Sequence, residues 1–195
     1  MSLSDPQNVL KVTKRSELRD WYLKNAESQP ECWVDVKRGN PKNDDGTKVS
    51  YLDAVEEALC FGWIDSTFKK IDGVTMQRFS PRRKGSAWTE LNKERVRRLE
   101  RLGLMTDLGR ATLPDMSEAS FKLDPDVEAA LKKGRAFSKF KKFPKLYQRV
   151  RAYNVAFWKK KDSATYERML TKLVNETKDG NMFGEWHDYG RLLEY

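Results

Sequence analysis

YLDAVEEALCFGWIDSTFKKIDGVTMQRFSP, residues 51–81, decides the fold class. Leu52, Val55 and Leu59 recur at the spacing of one helical face, and Ser50 with Asp53 three residues on forms a capping pair ahead of them. Gly62 suits the left-handed position that ends such a helix. Ile64 to Ile71 and Val74 to Ser80 then read as strands on either side of Asp72-Gly73. An Asp-Gly pair between two such runs signals a tight hairpin, because both central residues of that turn need positive φ. The segment predicts a helix feeding a β-hairpin.

Upstream, Ser16 is expected to cap a helix that buries Leu18, Trp21 and Tyr22 and ends near Pro30. Glu31 to Lys37 (ECWVDVK) has the aromatic and β-branched content of a strand, and Gly39 to Lys48 (GNPKNDDGTK) holds nothing to bury and reads as a mobile loop. Downstream of Ser86 the pattern is helical throughout. Trp88, Leu91, Arg95, Leu99 and Leu102 line one strip that Gly103 closes, and Thr106 suits the cap of a shorter helix. Asp124-Pro125 places a cap and a first-turn proline before a helix over Asp126 to Lys133. Pro144 starts another, with Leu146, Val150, Tyr153 and Phe157 inward; Ser163 caps the last, with Tyr166, Leu170, Leu173 and Val174 inward and Gly180 beyond. The expected fold is α+β: a small antiparallel or mixed sheet with a β-hairpin and packed helices over residues 1–115. A helical, basic region over 116–195 follows, with Pro114 to Asp124 as linker.

The 195 residues carry 38 Lys plus Arg against 29 Asp plus Glu, a formal charge of +9. That excess is local. Residues 132–161 contain 12 cations and no carboxylate, so the remainder holds 26 against 29 and is slightly acidic. Such asymmetry points to an anionic partner or a solvated basic face. The longest apolar stretch, Ala58 to Ile64 with glycine counted, is far short of the ~20 residues of a membrane-spanning helix. Met1 to Lys14 lacks an apolar run, so no secretory leader and a cytoplasmic location are expected. Cys32 and Cys60 stand outside any CxxC pattern and are expected to be reduced and buried, and the lone His187 cannot assemble a histidine-rich metal site. Walker, GxGxxG and GxSxG motifs are absent, and no cofactor is implied.

Three ordered blocks bring a family into view: EALCFGWIDS at 57–66, RFSPRR at 78–83, and SAWTELNKER at 86–95. They resemble the EALCFGWIDG-like, F-[ST]-P-R-[RK] and S-x-W-[ST]-x-x-N-x-x-R segments of the YdeI/OmpD-associated family, and the resemblance covers about a third of the chain densely. FPKLYQRVRAYNVAFWKKKDSATYERMLTKLV, residues 143–174, is more loosely similar to the family's aromatic-basic repeat and the helix after it. The resemblance implies a bacterial-type protein concerned with protection against bacteriocins or antimicrobial peptides, in association with an outer-membrane porin.

The sharpest local feature is Pro81-Arg82-Arg83-Lys84-Gly85-Ser86, between a strand and a helix. A helix N-terminus presents free N–H groups and the positive end of its dipole, so cations beside it suit a phosphate or carboxylate. Ser86 and Thr89 add hydroxyls. Trp63 and Asp65 share one face of the first hairpin strand, and Trp88, Asn92 and Arg95 lie on the following helix, so these side chains could complete a pocket for an anionic small molecule. The bland alternatives are a core Trp63, an Asp65 bonded to nearby backbone, and arginines paired with internal carboxylates. A nucleic-acid reading uses Lys139, Lys141, Lys142, Lys145, Arg149 and Arg151, interleaved with aromatics that could stack on bases. Aromatic spacings of three, three and four fit a buried helical stripe better, leaving only the charges in solvent.

The sequence is thus expected to encode a non-catalytic binding or stress-protection protein. A nucleic-acid-associated protein and an enzyme acting on an anionic metabolite are the alternatives.

Overall fold

The computed structural model describes residues 6–43 and 45–193. The first five residues, which carry part of the expectation about a leader, and Asp44 of the predicted loop lie outside them. The chain divides into two compact units. One takes the chain up to Ser86 together with Arg95–Pro114, and the other takes Ala87–Glu94 together with the chain from Asp115 onward.

The N-terminal unit is α+β, as the sequence predicts. Its sheet holds β1 (Val9–Leu10), β2 (Cys32–Val34), β3 (Trp63–Ile71) and β4 (Val74–Pro81) in the order β1-β2-β4-β3. The β1–β2 pair is parallel and the other two pairs are antiparallel, so the sheet is mixed. The hairpin closes at Asp72 and Gly73, with φ of 47° and 83°, the doubly left-handed turn that an Asp-Gly pair favours. A register shift between Asp65 and Phe68 bulges β3.

Two helices cover this sheet's core. In α2 (Tyr51–Cys60) the Ser50 hydroxyl accepts from the Asp53 N–H at 3.0 Å and donates to the Asp53 carboxylate at 2.6 Å, closing the predicted cap. Leu52, Val55 and Leu59 are buried, and Gly62 takes the left-handed conformation at φ 73°. In α1 (Arg15–Asn25), Leu18 and Tyr22 are buried as expected, but Ser16 is not the cap. The helix begins one residue before it, and the Glu17 carboxylate accepts the N–H groups of Thr13 and Lys14 at 2.8 and 2.9 Å. Reaching backward, Glu17 satisfies the N–H groups of the cap residue Lys14 and of Thr13 before it, a role that Ser16, already inside the helix, does not take.

The third helix, α3 (Glu90–Arg101), starts four residues later than Ser86. Thr89 caps it, its hydroxyl accepting the Asn92 N–H at 3.1 Å. The predicted strip is partly displaced: Val96 and Leu99 are fully buried, whereas Leu102 is 49% exposed. Gly103 follows with φ 68°, and Thr106 caps α4 (Asp107–Arg110) by accepting the Gly109 N–H at 3.3 Å.

The C-terminal unit is helical. It contains α5 (Pro125–Lys133), α6 (Phe137–Phe140), α7 (Lys145–Ala156) and α8 (Ser163–Asp179) around Val127, Leu131, Phe140, Tyr147, Val150, Val155 and Leu173. Asp124 caps α5 through the N–H groups of Asp126 and Val127, with Pro125 at the first turn, as predicted. The cap of α8 is Asp162 rather than Ser163: its carboxylate accepts from Ala164 and Thr165, and a carboxylate facing the positive helix end outcompetes a hydroxyl one residue inside. On α7 the inward stripe is Leu146, Tyr147, Val150 and Val155, leaving Tyr153 half-buried and Phe157 41% exposed. The segment expected to be a linker, Pro114 to Asp124, carries a 3-10 turn at Glu118–Ser120, and all of it after Pro114 belongs to the unit from Asp115 onward.

Among the described residues no helix is long and apolar enough to cross a membrane. Cys32 and Cys60 are free and buried, and burial pushes each thiol up to about 12.

Candidate functional site

The predicted site residues separate. Trp63 is 1% exposed; its ring packs edge-on against Trp21 and Tyr22 and its indole N–H donates to the Ala26 carbonyl at 3.2 Å, so it is a core residue. Arg82 extends the β3–β4 ladder, its N–H donating to Gly62 O at 2.9 Å, while Arg83 is exposed and its carbonyl accepts the Ser86 N–H in a turn. Ser86 is therefore a turn residue and not the opening of a helix. The true helix start at Thr89 spends its hydroxyl on the cap, and it carries the buried Glu90 in its first turn. That carboxylate complements the helix dipole and repels an anion from the place where one was expected.

Asp65 and Arg95 both act on Tyr51 in the N-terminal unit. The Tyr51 hydroxyl donates to Asp65 Oδ2 at 2.6 Å, and the Arg38 guanidinium lies 4.7 Å from the centre of the Tyr51 ring. Burial and the Asp65 carboxylate push the Tyr51 hydroxyl well above its usual pKa, and the charges of Arg95 and Arg38 oppose them. Tyr51 and Arg38 carry no motif that separates them from ordinary surface residues in the sequence.

Beside this lies a buried charge cluster on α2. Glu56 and Glu57 are 0% and 1% exposed. Arg98 Nη1 donates to Glu56 at 2.9 Å, Arg15 Nη1 to Glu56 at 2.6 Å, and Arg19 Nη1 to Glu57 at 3.0 Å, with Arg15 Nε also on Glu57. Burial disfavours the Arg15 charge, but Glu57 and Glu56 outweigh it and hold the guanidinium above its usual pKa. Every carboxylate here has a cation, which is the signature of a structural network.

In the C-terminal unit the basic stretch resolves into two classes of cation. Lys139, Lys141, Lys142 and Lys145 are exposed. Arg149 and Arg151 are not available to a polyanion. Arg149 is held by Glu94 at 2.7 Å, and Arg151, 5% exposed, sits 4.8 Å from the Phe183 ring centre and donates to Glu185 O at 3.3 Å. Burial pulls the Arg151 guanidinium below its usual pKa, against the opposing effects of Tyr147 and Glu185. Of the interleaved aromatics, Phe140 and Tyr147 are core, and Phe137, Phe143 and Trp158 pack on that core from its edge.

An arrangement with room for a ligand is a pocket of about 440 Å³ in this same unit. Trp88 just before α3 and Glu90 and Lys93 at its start line it, the segment before α5 supplies Ser120, Phe121, Lys122 and Asp124, and α7 supplies Tyr153. The floor is open because α7 presents Ala152 and Ala156, one turn apart, where larger side chains would fill it. Glu90 and Lys93 are buried, and Lys93 Nζ lies 3.0 Å from Glu90 Oε1 and 3.2 Å from the Ser120 hydroxyl. Glu90 Oε2 is buried and makes no hydrogen bond, but it lies at ion-pair distance, 3.6 Å, from Arg149 Nε, which likewise makes none. At that separation no hydrogen bond forms. Asp124 is already engaged by its cap and by Lys159, which lies 3.2 Å from Oδ2. Only Trp88 of the sequence-predicted residues lines this pocket. Glu90 and Lys93 read in the sequence as ordinary charges of a helix.

His187 accepts the Gly190 N–H at 2.8 Å as a local cap, and no cluster of three or more metal-ligating side chains exists among the described residues. No curated protein and no solved structure matches this chain. The family "Domain of unknown function (DUF8412)" matches residues 10–112, just over half of the sequence, spanning the sheet unit and the Trp88, Glu90 and Lys93 wall of the pocket. The chain therefore belongs to the DUF8412 family.

Proposed function

We propose that this protein is a non-catalytic small-molecule-binding protein whose ligand occupies the pocket of the C-terminal unit. The observation that carries this reading is the cavity of about 440 Å³ itself, lined by Trp88, Phe121 and Tyr153 beside the paired Glu90 and Lys93. The volume lies within the range of about 300–1,000 Å³ common to small-molecule sites, and aromatic walls with a few polar groups are their usual lining. The wall residues are engaged in pairs and caps rather than in a nucleophile–base arrangement, which favours binding over catalysis. The three sequence blocks shared with the YdeI/OmpD-associated family support a kinship to it, and with it a protective role in stress, as part of the same proposal. Thermal-shift screening of small metabolites against the protein and its Ala156→Leu variant tests the site. Stabilising compounds are expected to lose their effect when leucine fills the floor; hits that stabilise both proteins equally would place binding elsewhere.

A second reading rests on Lys139, Lys141, Lys142 and Lys145, four exposed cations within seven residues. They suit a weak polyanion contact with no sequence readout. Titration of single- and double-stranded oligonucleotides at two salt concentrations decides it, since absence of binding at low salt removes the reading.

A further inference from the structure

In the sheet order β1-β2-β4-β3, β3 is an edge strand, and Phe68 on it is 65% exposed. A single exposed apolar side chain needs no explanation by itself. What sets Phe68 apart is the guanidinium fixed beside it. Gln77, 2% exposed, shares its amide N–H groups among the Ser66, Thr67 and Arg78 carbonyls at 3.2, 3.1 and 3.2 Å, which leaves Oε1 to face Arg38. Arg38 Nη2 donates to that oxygen at 2.6 Å, and the guanidinium lies 4.7 Å from the Tyr51 ring centre and 5.6 Å from the Phe68 ring centre. Arg38 is exposed, and no carboxylate among the described residues pairs with it, so N–H donors of its planar fork remain for a ligand. Lys70, also exposed, shares the Phe68 face about 6.6 Å further along the strand.

We infer that this edge binds single-stranded nucleic acid, with an unpaired base stacked on Phe68 and the neighbouring phosphates on Arg38 and Lys70. The π-face of a ring accepts any base, and cations beside it neutralise the backbone that carries the base. A guanidinium held between two rings and a buried amide has already lost the freedom that a phosphate contact would otherwise take from it. The carboxylates of the hairpin do not stand in the way: Asp65 accepts the Tyr51 hydroxyl at 2.6 Å, and Asp72, in the turn, is offset by Lys69. A duplex offers no unstacked base to a lone ring. An acidic peptide added as a further strand needs a regular edge, which the bulge between Asp65 and Phe68 interrupts.

Fluorescence anisotropy of the full-length protein with labelled single strands of about 12 nucleotides, in DNA and in RNA, tests this at about 50 and about 200 mM salt. The duplex of the same sequence and a peptide rich in Asp and Glu serve as comparisons. A single strand is expected to bind more tightly than either, and the preference between DNA and RNA names its source. Phe68→Ala is expected to weaken that binding about tenfold with the salt slope unchanged, as loss of one stacked base does, and Phe68→Trp to retain it. Arg38→Ala is expected to weaken binding and to flatten the salt slope by about 0.7, the share of one phosphate contact on a single strand. Both side chains are exposed, so neither variant removes a core contact. Absence of single-strand binding at the lower salt overturns the inference. So does binding that Phe68→Ala leaves unchanged, which would place the strand on other cations such as Lys139 to Lys145. Tighter binding of the peptide, weakened by Phe68→Ala, overturns it in favour of an acidic protein partner.

Discussion

Lys93 Nζ stands 3.0 Å from Glu90 Oε1, less than one turn along α3, and the two side chains are only 10% and 4% exposed. An ion pair so far out of water is held by its partners more than by its own attraction. Lys93→Met leaves the buried Glu90 carboxylate with Arg149, 3.6 Å away, as its remaining cation, and should lower stability by about 1–2 kcal/mol in urea unfolding. Adding Glu90→Leu to that variant should restore most of the loss, because removing both charges removes the desolvation penalty with them. A double variant no more stable than Lys93→Met would show that the pair does not act as a unit.

The cluster on α2 predicts a loss of similar size. Glu56 is fully buried and receives both Arg15 and Arg98. Glu56→Ala strips two cations of their shared carboxylate and should destabilise the N-terminal unit by about 3 kcal/mol in urea unfolding. The partial exposure of both arginines places this at the lower end of the range for buried pairs.

Gly109 is a packing requirement. A Cβ built there would meet the Cys60 carbonyl oxygen at 2.3 Å, and backbone of a helix end cannot swing aside. Gly109→Ala should therefore cost about 2 kcal/mol or more by thermal unfolding. At Gly134 the closest atom, Val174 Cγ1, is equally near at 2.3 Å, and a β-branched side chain inside α8 is held to one rotamer, so Gly134→Ala should cost a comparable amount.

The cap of α8 distinguishes two neighbouring residues. Asp162→Ala should lower the melting temperature, whereas Ser163→Ala should leave it nearly unchanged, since only Asp162 accepts the Ala164 and Thr165 N–H groups.

Acid should weaken the C-terminal unit through its capping carboxylates. Burial raises the Asp124 pKa, but Lys159 and the N–H groups of Val127 and Asp126 outweigh it and hold the carboxylate below its usual value. The hydroxyl and N–H of Thr165 do the same to Asp162. Both groups have folded pKa values below their unfolded ones. Their contribution is therefore complete above about pH 4 and lost as the pH falls through the depressed values. Melting temperatures measured from pH 6 to pH 2 should drop below pH 4, and Asp124→Asn should flatten part of that drop.

Local chemistry determined the parts of this protein that neighbouring residues can settle by themselves. Asp72-Gly73 made the hairpin because few other pairs accept two positive φ angles, and Ser50 with Asp53 closed its own helix cap. Asp124-Pro125 likewise began α5 from within two residues. Where two residues competed for one role, proximity in sequence was not enough: Glu17 displaced Ser16, and Asp162 displaced Ser163. The stronger acceptor, or the one at the true helix start, won each time.

Only the tertiary structure decided which charges are available. Arg149 and Arg151 sit in the same basic run as Lys139 to Lys145, yet carboxylates and rings from elsewhere in the unit enclose the two arginines. Trp63 looked like a pocket wall and became core because α1 brought Trp21, Tyr22 and the Ala26 carbonyl against it. The pocket itself gathers residues from three separate stretches, 88–93, 120–125 and 152–156, and is open because two alanines face it. A void left by small residues on one helix leaves no periodicity or motif in sequence, since it exists only where distant walls meet around it.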